Sequence, residues 1–296
     1  MARKIACAAL AAIVFAGLRL AAPARAEDEP APAPGVAVNM MALGTYLQYT
    51  GPLFVKNVMG AIASGDALWP VGVGIRVGAE YYYSELSKGA GDNYWQAAPL
   101  AGVEFGGGGW SGEVAGSWLF SNYASVNTAK IALARVGYES KVGGLSISAA
   151  GSFYPGLTVV QIDPRGVWHV NEKLSIGVGP ELQEIGAHRD GDPPQQILPQ
   201  AYGSFWAFVN WRVVEPLTLY VAGFAGERQY SVDLDGLTVW ANNDLFVGGY
   251  EVNLSVAVGR GVGLFIDFQH EFGSHQEYLL HHFALLGGSL GLTASF

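Results

Sequence analysis

The sequence is almost free of cysteine, since Cys7 is the only one among its 296 residues. Cys7 falls within residues 1–26, which have the features of a secretory signal. A basic start that includes Arg3 precedes an apolar run, and a small-residue cleavage site ends at Ala26. The apolar run is short and stops at Arg19, which favours a cleaved signal over a retained anchor helix. The mature chain then lacks cysteine, so a disulfide framework and a thiolate metal site are excluded.

Charge is also scarce, and it is unbalanced. Asp, Glu, Lys and Arg make up 14% of the chain, whereas hydrophobic residues make up 50%. A chain this apolar does not remain disordered. Residues 27–296 hold 25 acidic residues against 12 basic ones, a balance that repels a phosphate backbone. We therefore expect a folded protein that does not bind nucleic acid.

Long hydrophobic runs are missing beyond the predicted signal peptide. Residues 27–35 are rich in proline, alanine and acidic residues and are typical of an exposed linker. After this linker no apolar stretch reaches the 18 residues that predict a transmembrane helix. The mature chain instead alternates. In residues 71–83 one face carries valine, isoleucine, alanine and tyrosine, and the other carries three glycines with Arg76, Glu80 and Tyr82. Such alternation predicts a β-strand with one apolar face and one small or charged face.

The spacing of aromatic residues distinguishes a membrane barrel from a soluble sandwich. Trp95 and Phe105 share one predicted face ten residues apart, and so do Trp110 and Phe120. Ten residues of a tilted strand rise about 25 Å, the expected height of the apolar band between two aromatic girdles. The opposite faces hold glycine, alanine and serine, which suit a narrow curved interior. The pattern predicts an all-β fold, a transmembrane antiparallel up-and-down β-barrel.

The turn signals predict the number of strands. Tight turns are expected at residues 106–109, 140–143, 171–173, 214–216 and 259–261, and longer loops at residues 84–93, 121–127, 187–196, 230–243 and 273–282. Counting back from Phe296 gives twelve strands in residues 71–296, an even number, as in bacterial barrels.

The N-terminal segment, residues 36–70, allows two interpretations. Phe54, Val58 and Ile62 have helical spacing, which indicates a short helix or plug at the barrel mouth. The segment otherwise supplies two more strands, raising the count to fourteen. We prefer twelve, because Lys56 or Asn57 would face lipid in a strand, at a cost of a few kcal/mol for a lysine at the midplane.

The C-terminus resembles the terminal sorting signal of Gram-negative outer-membrane β-barrel proteins. In that pattern a polar residue, a glycine and two hydrophobic residues, the last aromatic, occupy fixed positions. Ser289, Gly291, Ala294 and Phe296 occupy them here, although the family more often has a bulkier residue than Ala294. The resemblance covers eight residues and implies insertion into the bacterial outer membrane by the barrel assembly machinery. It also implies contact with outer-membrane lipids and lipopolysaccharide.

Placing the small or charged faces inward predicts the residues that line the lumen. They are Arg76, Glu80, Glu104, Glu113, Arg135, Glu139, Asp163, Arg165, Glu181, Asn210, Arg212, Glu251, Asn253 and Asp267. These side chains either border a narrow water path or interlock as a salt-bridged plug. Because eight acids outnumber four arginines, an open path is predicted to favour cations. The first hypothesis is therefore a passive or gated channel for small cationic or neutral solutes.

The motifs of enzymes are missing. No metal-ligand spacing, phosphate loop or nucleophile elbow occurs, so we expect no cofactor, metal or catalytic residue. The alternative hypotheses are a plugged structural or surface-binding barrel and a lipid-processing enzyme. The enzyme would use His270 or His282 as base and Ser274 as nucleophile, although loop and interfacial histidines without further geometry are usually inert. Other candidates are the loop histidines His188, His275 and His281. The loop acids would bind divalent cations that bridge lipopolysaccharide; they are Asp190, Asp192, Asp233 and Asp235. His169 is predicted to lie on the lumen wall.

Overall fold

The computed structural model describes residues 35–51, 55–86, 92–187, 200–232, 244–275 and 278–296. The predicted signal peptide and all but the last residue of the predicted linker lie outside this part of the chain. No helix among the described residues is long and apolar enough to cross a membrane. These residues form one antiparallel sheet instead.

The sheet has fourteen strands. In chain order they are β1 (Ala37–Thr50), β2 (Val55–Leu68), β3 (Val73–Leu86), β4 (Tyr94–Gly107), β5 (Trp110–Trp118, continued by Phe120–Ser121), β6 (Lys130–Glu139), β7 (Gly143–Tyr154), β8 (Leu157–Asn171), β9 (Leu174–Ala187), β10 (Gln200–Val214), β11 (Leu217–Arg228), β12 (Asp244–Gly259), β13 (Val262–His275) and β14 (Tyr278–Ser295).

Each strand pairs with the next, and the last pairs with the first. Thr45 of β1 lies opposite Ser289 of β14, and the remaining pairs complete the ring. The sheet is therefore a closed barrel without free edges, which satisfies every strand's hydrogen-bonding groups in a lipid environment. The predicted fold class is confirmed. The count is the fourteen of the second interpretation, and our preference for twelve was wrong.

Residues 36–70 were misjudged for two reasons. A spacing of four places Val58 and Ile62 on one face of a helix, but four is also even and places them on one face of a strand. In the structure both are buried on the inner face of β2. Asn57 does face outward, but it is the third residue of β2, near the strand end, and donates a hydrogen bond of 3.1 Å to Glu85. Polar groups are inexpensive at that height.

The barrel has two unlike rims. At the termini rim, Val38 and Phe296 exchange two backbone hydrogen bonds. All five predicted tight turns are confirmed at this rim. The turn after β4 requires glycine, because Gly108 and Gly109 have φ of 61° and 86°. At the opposite loop rim the predicted loop 273–282 is wrong, because β13 and β14 extend through most of it.

The outer surface is apolar and belted with aromatic rings. Trp95, Phe105, Trp110 and Phe120 are all exposed on it, as the ten-residue spacing predicts. Near the loop rim, the Lys130 ammonium lies 5.2 Å from the centre of a tryptophan ring, a favourable position for a cation at a membrane interface. Large exposed apolar side chains cover the barrel between the rims. Such a surface suits acyl chains rather than water.

Candidate functional site in the barrel lumen

The inner face changes from solvated to buried along the barrel axis. On β6, Ile131 and Leu133 are each 4% exposed, while the side chains of Arg135 and Glu139 are 23% and 59% exposed. The other strands follow the same trend, with half-buried or exposed inward residues near the termini rim. The lumen therefore has a solvated mouth at the termini rim, here called the vestibule, and a closed half toward the loop rim.

The closed half is filled by apolar side chains, here called the apolar cap. Leu47, Tyr82, Leu119 and Leu285 are among its most buried members, each with 0% of its surface exposed. They belong to one cluster to which many strands contribute. Val126, from the loop between β5 and β6, also enters this cluster. Side chains and loop residues thus close the lumen at this end.

Four charged residues and one serine, from five consecutive strands, form one row around the inner wall, here called the charged belt. From β4 to β8 the directly paired residues are Glu104, Glu113, Arg135, Ser148 and Asp163. Directly paired residues have Cβ atoms about 5 Å apart, so consecutive members are neighbours on the wall. The belt brings together four predicted lumen residues whose distances in sequence gave no sign of this proximity.

Glu113 is the centre of the belt. Its Oε1 lies 2.9 Å from Nη1 of Arg76, and its Oε2 lies 3.1 Å from Nη2 of Arg135. The Glu113 side chain is 1% exposed. One buried carboxylate therefore joins guanidinium groups from β3 and β6, and both of its oxygens are bonded.

Amide side chains hold the neighbouring acids. Glu181 accepts hydrogen bonds from Nε1 of Trp206 at 3.0 Å and from Nε2 of Gln183 at 2.9 Å. Asp163 accepts a bond of 2.9 Å from Nε2 of Gln161. These partners are neutral donors, so they stabilise the two carboxylates without cancelling their charge.

The chain enters the lumen immediately after β11. Arg228 is buried, forms a 2.7 Å ion pair with Glu271 and lies 4.0 Å from the ring centre of Phe224. Residues 229–232, here called the strap, follow it against the inner wall. Three hydrogen bonds attach the strap backbone to glutamine side chains: Gln229 N donates to Gln183 Oε1 at 2.8 Å, and Val232 N and O bond Gln161 Oε1 and Nε2, each at 2.9 Å.

A second polar group lies across the lumen, on β12 and β13. Asn253 is directly opposite Asp267, and Glu251 is directly opposite Gln269. All four are buried. Among the described residues, four of their side-chain atoms have no hydrogen-bond partner: Asn253 Oδ1, Asp267 Oδ2, and both Oε1 and Nε2 of Gln269. We call Asn253, Asp267 and Gln269 the orphan cluster, because buried polar atoms normally have partners.

Acidic groups dominate the buried charges. Among the described residues, nine acidic side chains and two arginines are buried. The acids are Glu80, Glu104, Glu113, Asp163, Glu181, Asp244, Glu251, Asp267 and Glu271. The lumen wall is therefore strongly negative.

The structure gives each predicted lumen residue an inward position. Arg76, Glu80, Glu104, Glu113, Asp163, Glu181, Glu251 and Asp267 are buried, whereas Arg135, Arg165 and Arg212 are half-buried. Arg212 lies apart from the belt, 3.4 Å from the exposed Glu215 at the termini rim. That these residues determine selectivity stays a prediction. The sequence interpretation missed Arg228 and the glutamines 161, 183 and 269, because it searched for charge and did not treat 228–232 as part of the lumen.

Of the predicted enzyme residues, the structure brings Ser274 and His282 together and places His270 apart from them. Ser274 and His282 are directly paired at the loop rim, and both lie on the outer face of the barrel. The ring of His270 packs on the outer surface against Tyr250 and Phe272. His188, the side chains of His275 and His281, and the four loop acids lie outside the described residues.

His169 does lie on the lumen wall, with two partners in the vestibule. Its Nε2 bonds Glu139, and its Nδ1 lies 2.8 Å from the Ser175 hydroxyl. Glu139 reaches it across β7 because Gly144 lies between them. A Cβ at that glycine would stand 1.9 Å from Oε2 of Glu139. The sequence predicted the wall position of His169 but neither partner.

The comparisons concern the fold. No protein-family model matches the sequence, and no curated protein matches it. The toluene transporter TodX of P. putida superposes with a TM-score of 0.56 at 9% identity, over 89% of this chain and 91% of that one. A bacterial polysaccharide outer membrane secretin superposes with a TM-score of 0.52 at 13% identity, over 89% of this chain and 99% of that one. The chain thus has the fold of outer-membrane β-barrels, and the predicted likeness to them is confirmed.

Proposed function

We propose that this outer-membrane-type barrel is a gated channel for small cationic or neutral solutes, seen here in its closed state. The charge of the lumen wall is the observation that carries the proposal. Nine buried acids against two buried arginines among the described residues create a negative potential that attracts cations. The vestibule supplies a solvated entrance to this field.

The strap and the apolar cap are the proposed gate. Both lie between the charged belt and the loop rim, and both exclude water from that half of the lumen. A solute passes once the strap leaves the wall, which allows the cap side chains to separate. The strap is joined to the wall by side-chain amides, and such bonds contribute about 1 kcal/mol each, so release is energetically accessible.

The apolar cap bears on which solutes pass. In the closed state its aromatic and aliphatic side chains oppose fully hydrated ions, and they favour a solute with an apolar body. TodX is a toluene transporter, which supports an apolar solute as one class for this fold. We therefore propose solutes with a small apolar part that are neutral or carry one positive charge.

We further propose that the mature chain resides in the bacterial outer membrane, after secretion with a cleaved signal peptide and insertion by the barrel assembly machinery. The exposed apolar wall and the C-terminal pattern support this location. Outer-membrane lipids and lipopolysaccharide are then its neighbours. Separation of inner and outer membranes on a density gradient tests the location, and recovery with the inner membrane would contradict it.

Selectivity gives a direct test of the channel. The Glu181→Gln/Asp163→Asn variant is expected to lower the permeability ratio of potassium to chloride, measured from the reversal potential in planar bilayers under a KCl gradient. In a water-filled lumen one carboxylate about 7 Å from the ion contributes about 0.6 kcal/mol, or about a factor of three. The loss of two carboxylates is therefore expected to lower the ratio severalfold.

Glu172→Gln is the matched control, because Glu172 lies exposed in the turn after β8, outside the lumen. It is expected to conduct with wild-type selectivity. A wild-type barrel that prefers chloride would disprove the channel proposal, and so would one that never conducts, even with the strap detached from the wall.

One observation favours a second candidate function, a hydrolase. Glu139, His169 and Ser175 form a hydrogen-bonded chain in the solvated vestibule, the order of an orienting carboxylate, a base and a nucleophile. A fluorophosphonate probe is then expected to label the wild type and not Ser175→Ala. Ser111→Ala is the control, because Ser111 also faces inward near the termini rim. Absence of labelling in the wild type would eliminate this candidate and leave the three residues as a polar link between strands.

A further inference from the structure

The orphan cluster has the composition of a site for a positively charged hydrogen-bond donor. Asn253 Oδ1, Asp267 Oδ2 and Gln269 Oε1 are three buried acceptors that have no partner in the part of the chain that the structure describes. Gln269 is only 1% exposed, and neither end of its amide is bonded. A buried polar atom without a partner costs about 1–3 kcal/mol, so a group of them indicates that something is bound there in another state.

The register places the three acceptors together. Asn253 and Asp267 are directly paired, and Gln269 follows Asp267 by two residues on the same face. Side chains of paired and diagonal neighbours lie within about 5–8 Å of one another. Glu251, which is opposite Gln269, adds a further negative group beside the cluster.

We propose that the orphan cluster binds the primary ammonium group of a small organic amine. An –NH₃⁺ group has three donors and no acceptor, which matches three acceptor oxygens. The carboxylate of Asp267 balances its charge, the condition under which a buried charge is tolerated. This inference rests on the proposed function and narrows its solute class to primary amines.

Apolar side chains beside the cluster suit the rest of such a molecule. Phe265 precedes Asp267 by two residues on the same face and is 3% exposed. Tyr220 is directly paired with Asn253 and is also buried. Aromatic faces next to an ammonium site stabilise both the apolar body and the cation.

The cluster is adjacent to the vestibule. Along β12, the inward residues after Asn253 are Ser255, which is half-buried, and Ala257, which is exposed. The cluster therefore lies where solvent access along β12 ends. An amine that enters from the termini rim meets it before it meets the strap.

Binding is tested by isothermal titration of the purified full-length mature barrel in detergent, with benzylammonium as probe. The Kd for benzylammonium is expected to be at least about tenfold lower than for benzyl alcohol, which lacks the charge, and than for benzyltrimethylammonium, which lacks the N–H donors. Asp267→Asn is expected to raise the Kd for benzylammonium about tenfold or more. Gln269→Met keeps the side-chain volume and removes the amide, and it is expected to raise the Kd for benzylammonium severalfold. This variant tests the site if Asp267→Asn does not fold.

The control is Asp66→Asn, an inward acid on β2 that accepts a hydrogen bond from Asn39 and is remote from the cluster. It is expected to bind benzylammonium like the wild type. Equal binding of benzylammonium by the wild type and both cluster variants would overturn the inference. So would a titration in which KCl releases binding heat and benzylammonium releases none. Conduction without amine binding would refute only this site, whereas amine binding without conduction would refute only the channel.

Discussion

Replacing Gln161 and Gln183 by leucine is expected to turn the closed barrel into one that conducts. Three hydrogen bonds between these side chains and the strap backbone are lost. At about 1 kcal/mol each they amount to about 3 kcal/mol, or about a hundredfold in the ratio of open to closed barrels. Planar-bilayer recording measures the effect as the fraction of time that single barrels conduct.

The strap is suited to release because its conformation is not fully relaxed. Tyr230 has φ of 51°, in the left-handed region that a tyrosine seldom adopts, and its ring centre lies 5.5 Å from that of Tyr154. The wall contacts must offset that strain. Once the glutamines are gone, the backbone groups of the strap regain partners only in water, which they reach by leaving the wall.

The matched control is Gln96→Leu. Gln96 is an equally buried inward glutamine, but it bonds Glu80 and Tyr94 rather than the strap. It is expected to remain closed. Equal conduction by Gln96→Leu and the double variant would mean that any lost amide loosens the barrel, and an unchanged double variant would show that the strap is not the gate.

The inner and outer faces of the strands follow from the sequence, because alternation with a period of two is a local property. The inward positions of Glu104, Glu113 and Asp163 were predicted in this way. Their proximity was not. It depends on the register of each strand against the next, and register is set by turn geometry and packing rather than by composition.

The first two strands show a different limit. An even spacing such as that of Val58 and Ile62 satisfies a helix and a strand alike, so the pattern alone does not decide. Barrel closure decides it here, because β14 and β3 need partners that only residues 37–68 provide. The strap was missed because a segment that leaves a strand and returns to the lumen has no periodic signal.

Replacing Glu113 by leucine is expected to cause the largest loss of stability. The carboxylate bonds Arg76 at 2.9 Å and Arg135 at 3.1 Å, and Arg76 is itself buried. Removing one member of a buried ion pair costs about 3–5 kcal/mol, because a charge is left without its partner in a site that water does not reach. We expect about 3 kcal/mol, since Arg135 is partly solvated and regains water. Urea unfolding of the refolded barrel in lipid vesicles, followed by tryptophan fluorescence, measures the loss.

Two companion variants show whether the loss comes from the missing charge, from the changed side-chain shape or from burial of the site. Glu113→Gln keeps the side-chain volume and one acceptor oxygen, so it is expected to lose less stability against urea than Glu113→Leu. Glu215→Gln removes a carboxylate that also lies near an arginine, at 3.4 Å, but its side chain is 76% exposed. Exposed pairs contribute little, so no measurable change is expected. If all three variants unfolded at the wild-type urea concentration, the Glu113 ion pairs would not be holding β3, β5 and β6 together, and the acids of the charged belt would be free to determine selectivity alone.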